Sequence, residues 1–179
     1  MTALDHQPLN PNFLSPLGYK FQVKKCQHVN FFCQEVTVPG FALQPVRQGT
    51  TMVNIHHPGD HIDFEPLVIN FKVDEDLMNY MEIYNWIRQL GFPHNHSEYA
   101  DLAAIPKISG LGLRSEISVI IMSSDRNPKW EVIFHDAFPV NLGPLPFTSK
   151  APDVNFISTT ASFVYTTFQI SSINAEAGP

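Results

Sequence analysis

The chain has 179 residues, 44% of them hydrophobic, and a formal net charge of -6; it is long enough for one domain to bury a core without disulfide staples. Eleven basic against 17 acidic side chains exclude a general nucleic-acid binder, which needs basic stripes to displace counterions from phosphate. Charged residues make up only 16%, against about 25% in ordinary soluble domains, as expected of a chain that hides surface in an assembly.

The first 17 residues place Pro8, Pro11 and Pro16 among polar neighbours, a pattern that prevents regular structure and predicts an extended arm. No run reaches the roughly 20 apolar residues needed to span a bilayer, and Met1 to His6 lacks a basic start and a hydrophobic leader core, so a cytoplasm-like compartment and no membrane partner are expected. From Gly18, Tyr19, Phe21 and Val23 alternate with Lys20, Gln22 and Lys24, the period of a half-buried strand. Cys26 to Val38 reads as a second extended stretch closed by Pro39-Gly40. On one strand, the seven-residue spacing of Cys26 and Cys33 would point them to opposite faces, too far apart to bond, so both read as reduced structural thiols.

Phe41 to Gly59 carries Pro45, Gly49, Pro58 and Gly59 around the short alternating piece Met52 to Ile55. It predicts a long loop or an irregular edge hairpin, and long loops in compact domains are usually functional. Phe41, Pro45, Arg47 and Met52 are therefore candidate subunit contacts. Ile62, Phe64, Leu67, Ile69, Phe71 and Val73 make a strong strand interrupted by Pro66, which belongs at a bulge or edge because it cannot donate to the ladder.

Residues 73 to 91 hold the only sustained helical period. Tyr80, Ile83, Tyr84, Ile87 and Leu90 form an apolar stripe, widened by Leu77 and Met81, that predicts docking on a sheet. Asp74, Glu75 and Asp76 suit the helix amino end, and Gly91 before Pro93 is a stop signal. The polar face of Asn79, Glu82, Asn85, Arg88 and Gln89 is a candidate contact with a neighbouring subunit, with Glu82 and Arg88 singled out. Pro93 to Gly112, with His94 and His96, predicts a second long loop.

Ser115 to Ser123 is a strand with Ile117, Val119 and Ile121 on one face. The turn Asp125-Arg126-Asn127-Pro128 leads to Trp130, Val132 and Phe134 in alternation, the clearest hairpin of the chain. Ala137 to Lys150 reads as a connecting loop and Val154 to Ile170 as a long threonine-rich strand. The sum is a mainly β protein: an antiparallel β-sandwich or half-barrel of six to seven strands with one docked helix and long loops. The expected organisation is an arm over 1–17, a β domain over 18–170 and a flexible tail over 171–179.

His56, His57, His61 and Asp63 are ligand types that zinc or iron would choose. They make a metal-dependent enzyme or sugar-binding sandwich the competing reading, although no helix sets two histidines at i and i+4. A polar turn between strands explains them more simply, and no cofactor is expected. The carboxylates Asp74 to Asp76 diverge in direction and suit a helix start better than acid-base work. Gly110-Leu111-Gly112 lacks the context of a nucleotide fingerprint, Ser123-Ser124 lacks a nucleophile elbow, and Trp86 and Trp130 read as core. No catalytic residue is expected.

Taken in order, Gly18 to Val23, Asn30 to Gly40, Pro58-Gly59-Asp60 before Phe64 and Leu67, and Phe71 to Asp76 leading into Asn79-Tyr80, Glu82-Ile83 and Trp86-Ile87 resemble the tail tube proteins of T4-like contractile-tailed bacteriophages. Phe134 to Pro139, Leu142-Gly143, Leu145 and Ala161 to Tyr165 are similar to that family's closing strands. The resemblance covers about residues 18 to 170. It implies a structural virion protein, not an enzyme, forming hexameric rings that stack into the inner tube of a contractile tail. Each subunit would lend strands to a continuous barrel through which DNA passes without specific binding. It also implies a sheath and baseplate or terminator proteins as partners, and assembly in the host bacterial cytoplasm. Rings that initiate, cap or terminate the tube share this fold and remain the alternative.

Overall fold

The computed structural model describes residues 12–91, 96–106, 109–150 and 156–173. The elements run β1 (Tyr19–Val23), α1 (Gln27–Phe32), β2 (Cys33–Thr37), β3 (Phe41–Leu43), β4 (Val46–Gly49), β5 (Asn54–His57), β6 (Ile62–Phe64), β7 (Leu67–Lys72), α2 (Met78–Gly91), α3 (His96–Ala103), β8 (Ser115–Met122), β9 (Pro128–Leu142), β10 (Ser158–Val164) and β11 (Thr167–Ser172). Seven of the strands form one antiparallel sheet, folded into two layers by the 15-residue β9.

The first half of β9 pairs with β8 and β11, and β8 pairs with β1. Its second half pairs with β10, followed by β7 and β2. The fold between layers sits at Asp136, whose φ of 55° is left-handed and turns the strand. The partner ribbon breaks at the same level: β10 ends, Thr166 N–H donates to the His135 carbonyl at 3.0 Å, and β11 begins. The long final strand expected over 154–170 is thus two strands, and residues 151–155 lie outside the described residues.

Period-two alternation supplies the core. Phe21, Val23, Ile117, Val119, Val132 and Phe134 point inward from the first layer, and Leu67, Ile69, Phe71, Ala161 and Phe163 from the second, all buried. This is the expected mainly β class, with its seven sandwich strands and its principal helix. α2 closes the open side of the sandwich with Ile83 and Trp86, both fully buried, and the Trp86 ring lies 6.3 Å from that of Phe163.

Several local expectations are corrected. Cys26 to Val38 is not continuously extended, because α1 interrupts it. The Asn30 side chain takes the Val23 N–H at 2.7 Å and donates to the Val23 carbonyl at 3.0 Å, closing a tight return after β1. Val29 is buried beneath it. Pro93 to Gly112 contains α3 rather than loop alone; its buried Leu102 is too few apolar positions to give a readable stripe. Residues 92–95 lie outside the described residues, and with them His94. The connector expected from Ala137 is strand as far as Leu142, since Ala137 and Pro139 face inward. Pro139 sits opposite a register shift between Ser162 and Phe163, where its missing donor costs little.

The helix also starts later than its acids suggest. Asp74, Glu75 and Asp76 occupy a turn before α2, and Leu77 adopts a φ of 56°. Buried Asn79 fixes this entry, accepting from Asp74 N–H at 3.2 Å and donating to the Lys72 carbonyl at 2.7 Å. The buried stripe is therefore Asn79, Ile83 and Trp86, flanked by Ile87 and Leu90, while Tyr84 and Met81 are exposed.

Candidate assembly surfaces

The region expected as a loop over 41–59 is a long two-part hairpin. Phe41 to Leu43 pair with Ile62 to Phe64, and Val46 to Gly49 pair with Asn54 to His57. Nearly every residue from Gly40 to Pro66 is exposed, so the hairpin projects from the sandwich. Its base is anchored by aromatic contact: Phe41 and Phe64 lie 6.0 Å and 5.7 Å from Phe168. The Tyr165 hydroxyl donates to the Glu65 carbonyl at 2.9 Å. Burial of that phenol is the largest cause of its raised pKa, with Glu65 adding to it.

Midway, the two hairpin arms approach so closely that a Cβ on Gly59 would stand 1.9 Å from the Gln44 carbonyl oxygen. Only glycine fits there. At the tip, Thr50 and Val53 close the turn on each other through backbone and hydroxyl bonds. The predicted contact residues Phe41, Pro45, Arg47 and Met52 all lie along this projection, and Met52 is 97% exposed at its end.

The histidines share the hairpin without converging. His56 and His57 are adjacent on β5 and so face opposite sides. The His57 ring is 3.0 Å from Gln48 Oε1, and His61 Nε2 is 3.2 Å from Asp63 Oδ1. Among the described residues no three His, Cys, Asp or Glu side chains gather as a cation would require.

On α2 the expected polar face divides. Asn79 is buried in the helix entry and is not a contact residue. Glu82 faces α1, receiving the His28 N–H at 3.2 Å and the His28 ring nitrogen at 2.6 Å. Asn85, Arg88 and Gln89 line an open cavity with Lys25, Asp101 and Leu111. Lys25 Nζ sits 4.9 Å over the Trp86 ring and donates to the Gly112 carbonyl at 2.9 Å. Burial lowers its pKa to about 8. Trp86 is core, whereas Trp130 is 41% exposed.

Cys26 and Cys33 are both free thiols, separated by α1 rather than sharing a strand. Burial pushes their pKa values up to about 12 and about 11, which keeps them protonated and unreactive.

The sandwich also presents two open strand edges in its first layer. Among the described residues β1 pairs only with β8, and β11 only with β9. The solvent face between them carries the cross-strand rows Gln22, Ser118, Ile133, Gln169 and Lys20, Ile120, Glu131, Ser171. Lys24 on this side is bonded to Glu116 at 2.7 Å, and that ammonium holds the Glu116 carboxyl below its usual range.

A second surface was invisible in the sequence. Leu77, Phe147, Phe156 and Ile157 line an open groove of about 720 Å³ rimmed by Asp74 and Glu75. Phe147 is 77% and Phe156 73% exposed. The only sequence signal was two phenylalanines isolated in proline- and serine-containing connectors.

The phage tail tube protein family matches residues 8–171. No curated protein matches the sequence. Among solved structures, a chain of the anti-feeding prophage baseplate superposes with a TM-score of 0.58 at 10% identity, covering 87% of this chain and 92% of that one. A chain of the sheath-tube complex of PVC, an extracellular contractile injection system, in its extended state has a TM-score of 0.58 at 10% identity, over 91% and 94%. The sheath/tube terminator of the same system gives 0.57 at 11%, over 90% and 99%. At such identities the likeness is one of fold.

Proposed function

On the premise that this chain belongs to the phage tail tube protein family, we propose that it forms hexameric rings which stack into the inner tube of a contractile tail or a phage-tail-like particle. The observation that carries this reading is the four-stranded layer β1-β8-β9-β11 with both edge strands open. Exposed edges template pairing with other chains, and natural proteins close or cover them. Edge-to-edge joining around a ring closes the layers into one barrel, which removes every edge at once.

The solvent face of that layer suits a conduit. Gln22, Ser118, Gln169 and Ser171 are uncharged, Lys20 and Glu131 share one cross-strand row with opposite charges, and Lys24 is neutralised by Glu116. With a net charge of -6 for the whole chain, such a wall passes phosphate without holding it. DNA is thus a passenger rather than a ligand, and the protein works without catalysis.

The projecting hairpin and the arm of residues 1–17 provide contacts between rings. Phe13, Leu14 and Leu17 in the described part of that arm are exposed apolar side chains, as expected of a segment completed by a neighbour. The domain begins at residue 18, and because β11 runs to Ser172 it extends past the expected end at 170. A sheath around the tube and baseplate or terminator proteins at its ends are the partners, and assembly takes place in the host bacterial cytoplasm. Native mass spectrometry tests the ring: a six-copy species as the dominant oligomer supports it, and a monomer at every concentration overturns it.

A further inference from the structure

The hairpin and the Phe147/Phe156 groove lie at opposite ends of the same strand. β6 enters β7 through Glu65-Pro66 at Leu67, and β7 leaves at Lys72 toward Asp74 and Glu75 on the groove rim. Six residues of strand separate the two by about 20 Å through the body. A plug at one pole and a groove at the other that is open among the described residues make a heterologous contact, which repeats without closing when copies are related along the strand.

We propose that the hairpin tip of one copy seats in this groove of a copy in the next ring. The proposal rests on the tube reading and assigns the socket for its axial contact. Met52 and Val53 are exposed at the tip, as are Leu77, Phe147 and Phe156 in the groove. Both surfaces lose apolar area to water unless they are joined.

The charges match as well. Residues 46–57 contain Arg47 and no carboxylate, while the groove lining carries Asp74 and Glu75 against the single cation Lys72. Leu77 points the same way: a leucine at φ 56° is strained relative to glycine or asparagine, and its side chain lines the groove. Phe156 is braced from beneath by Lys72, whose Nζ lies 4.8 Å from the ring centroid.

Cysteine pairing tests the contact in the full-length chain. Met52→Cys protein mixed with Phe147→Cys protein, assembled and then oxidised, is expected to give a disulfide-linked dimer in at least ten-fold excess over a mixture of Met52→Cys with Gln169→Cys. Phe147→Asp protein is expected to keep its circular dichroism and ring mass but to lose tubes. Tubes from the unsubstituted chain with no such excess, or Phe147→Asp tubes of normal length, overturn the socket and leave the tube reading standing. A chain that forms no rings at all overturns both.

Discussion

His28 grips Glu82 twice, through its backbone N–H at 3.2 Å and its ring nitrogen at 2.6 Å. The pair ties α1, which lies between β1 and β2, to the flank of α2 beside its buried stripe. Glu82 both accepts the ring hydrogen bond and supplies the negative charge that raises the His28 pKa above its ordinary value near 6.5.

A group whose folded pKa is raised contributes stability that is fully present below its unfolded pKa and is lost as pH rises through the folded value. Here the window opens at about pH 6.5 and extends upward. The melting temperature of the natural chain minus that of His28→Gln should be positive below about pH 6.5 and shrink as pH rises above it. A difference that grows with pH would contradict the pairing. Because the imidazole is exposed, the effect is small.

Lys25 gives the opposite sign. Burial holds its ammonium to a pKa of about 8, so between that value and the unfolded value near 10.4 the unfolded chain binds more protons and stability rises with pH. Lys25→Met keeps the stem over Trp86 and removes the charge. It should melt higher than the natural chain at about pH 7, with the advantage fading by about pH 10. A lower melting temperature at neutral pH would mean that the Trp86 and Gly112 contacts outweigh desolvation.

Trp86 joins the helix to the sheet. Its Nε1–H donates to the Leu113 carbonyl at 3.2 Å and its ring is fully buried. Trp86→Ala should cost about 3–5 kcal/mol in denaturant unfolding. Trp86→Phe should cost about 1–3 kcal/mol, because it leaves the carbonyl unpaired. A Trp86→Phe chain as stable as the natural one would remove the hydrogen bond from the account, and equal losses for the two would remove the packing of the ring.

Gly59→Ala separates folding from assembly. The added methyl would meet the Gln44 carbonyl at 1.9 Å, so the hairpin must open. The sandwich, which does not depend on the outer hairpin for its core, should melt within about 2 °C of the natural chain, whose size makes that less than about 1 kcal/mol. Tube formation should fall sharply. Normal tubes would show that the hairpin is dispensable.

Deleting residues 1–17 should leave a folded protein that no longer polymerises, read by circular dichroism and sedimentation. Unchanged tube length would remove the arm from the ring contacts.

The sandwich was legible because one face of each core strand is buried, which writes period two into Tyr19 to Val23, Leu67 to Lys72 and Ser115 to Met122. The helix was legible as an element and Trp86 is core as read, but the buried face was misjudged at two positions: Asn79 is inside and Tyr84 outside. Asn79 was unreadable because its burial depends on two backbone groups of a turn that hydrophobic periodicity does not describe. α1 escaped for a similar reason, since it is held by Asn30 reaching back to Val23. That Phe41, Pro45, Arg47 and Met52 share one exposed projection was legible from the density of prolines and glycines around them. Phe147 and Phe156 were not, because the groove is assembled from connectors far apart in sequence.

Negative-stain electron microscopy of the purified chain at increasing concentration tests the central claim most directly. The account predicts rings with six-fold end views that stack into tubes of uniform width. Particles that remain single subunits at the highest concentration would contradict it.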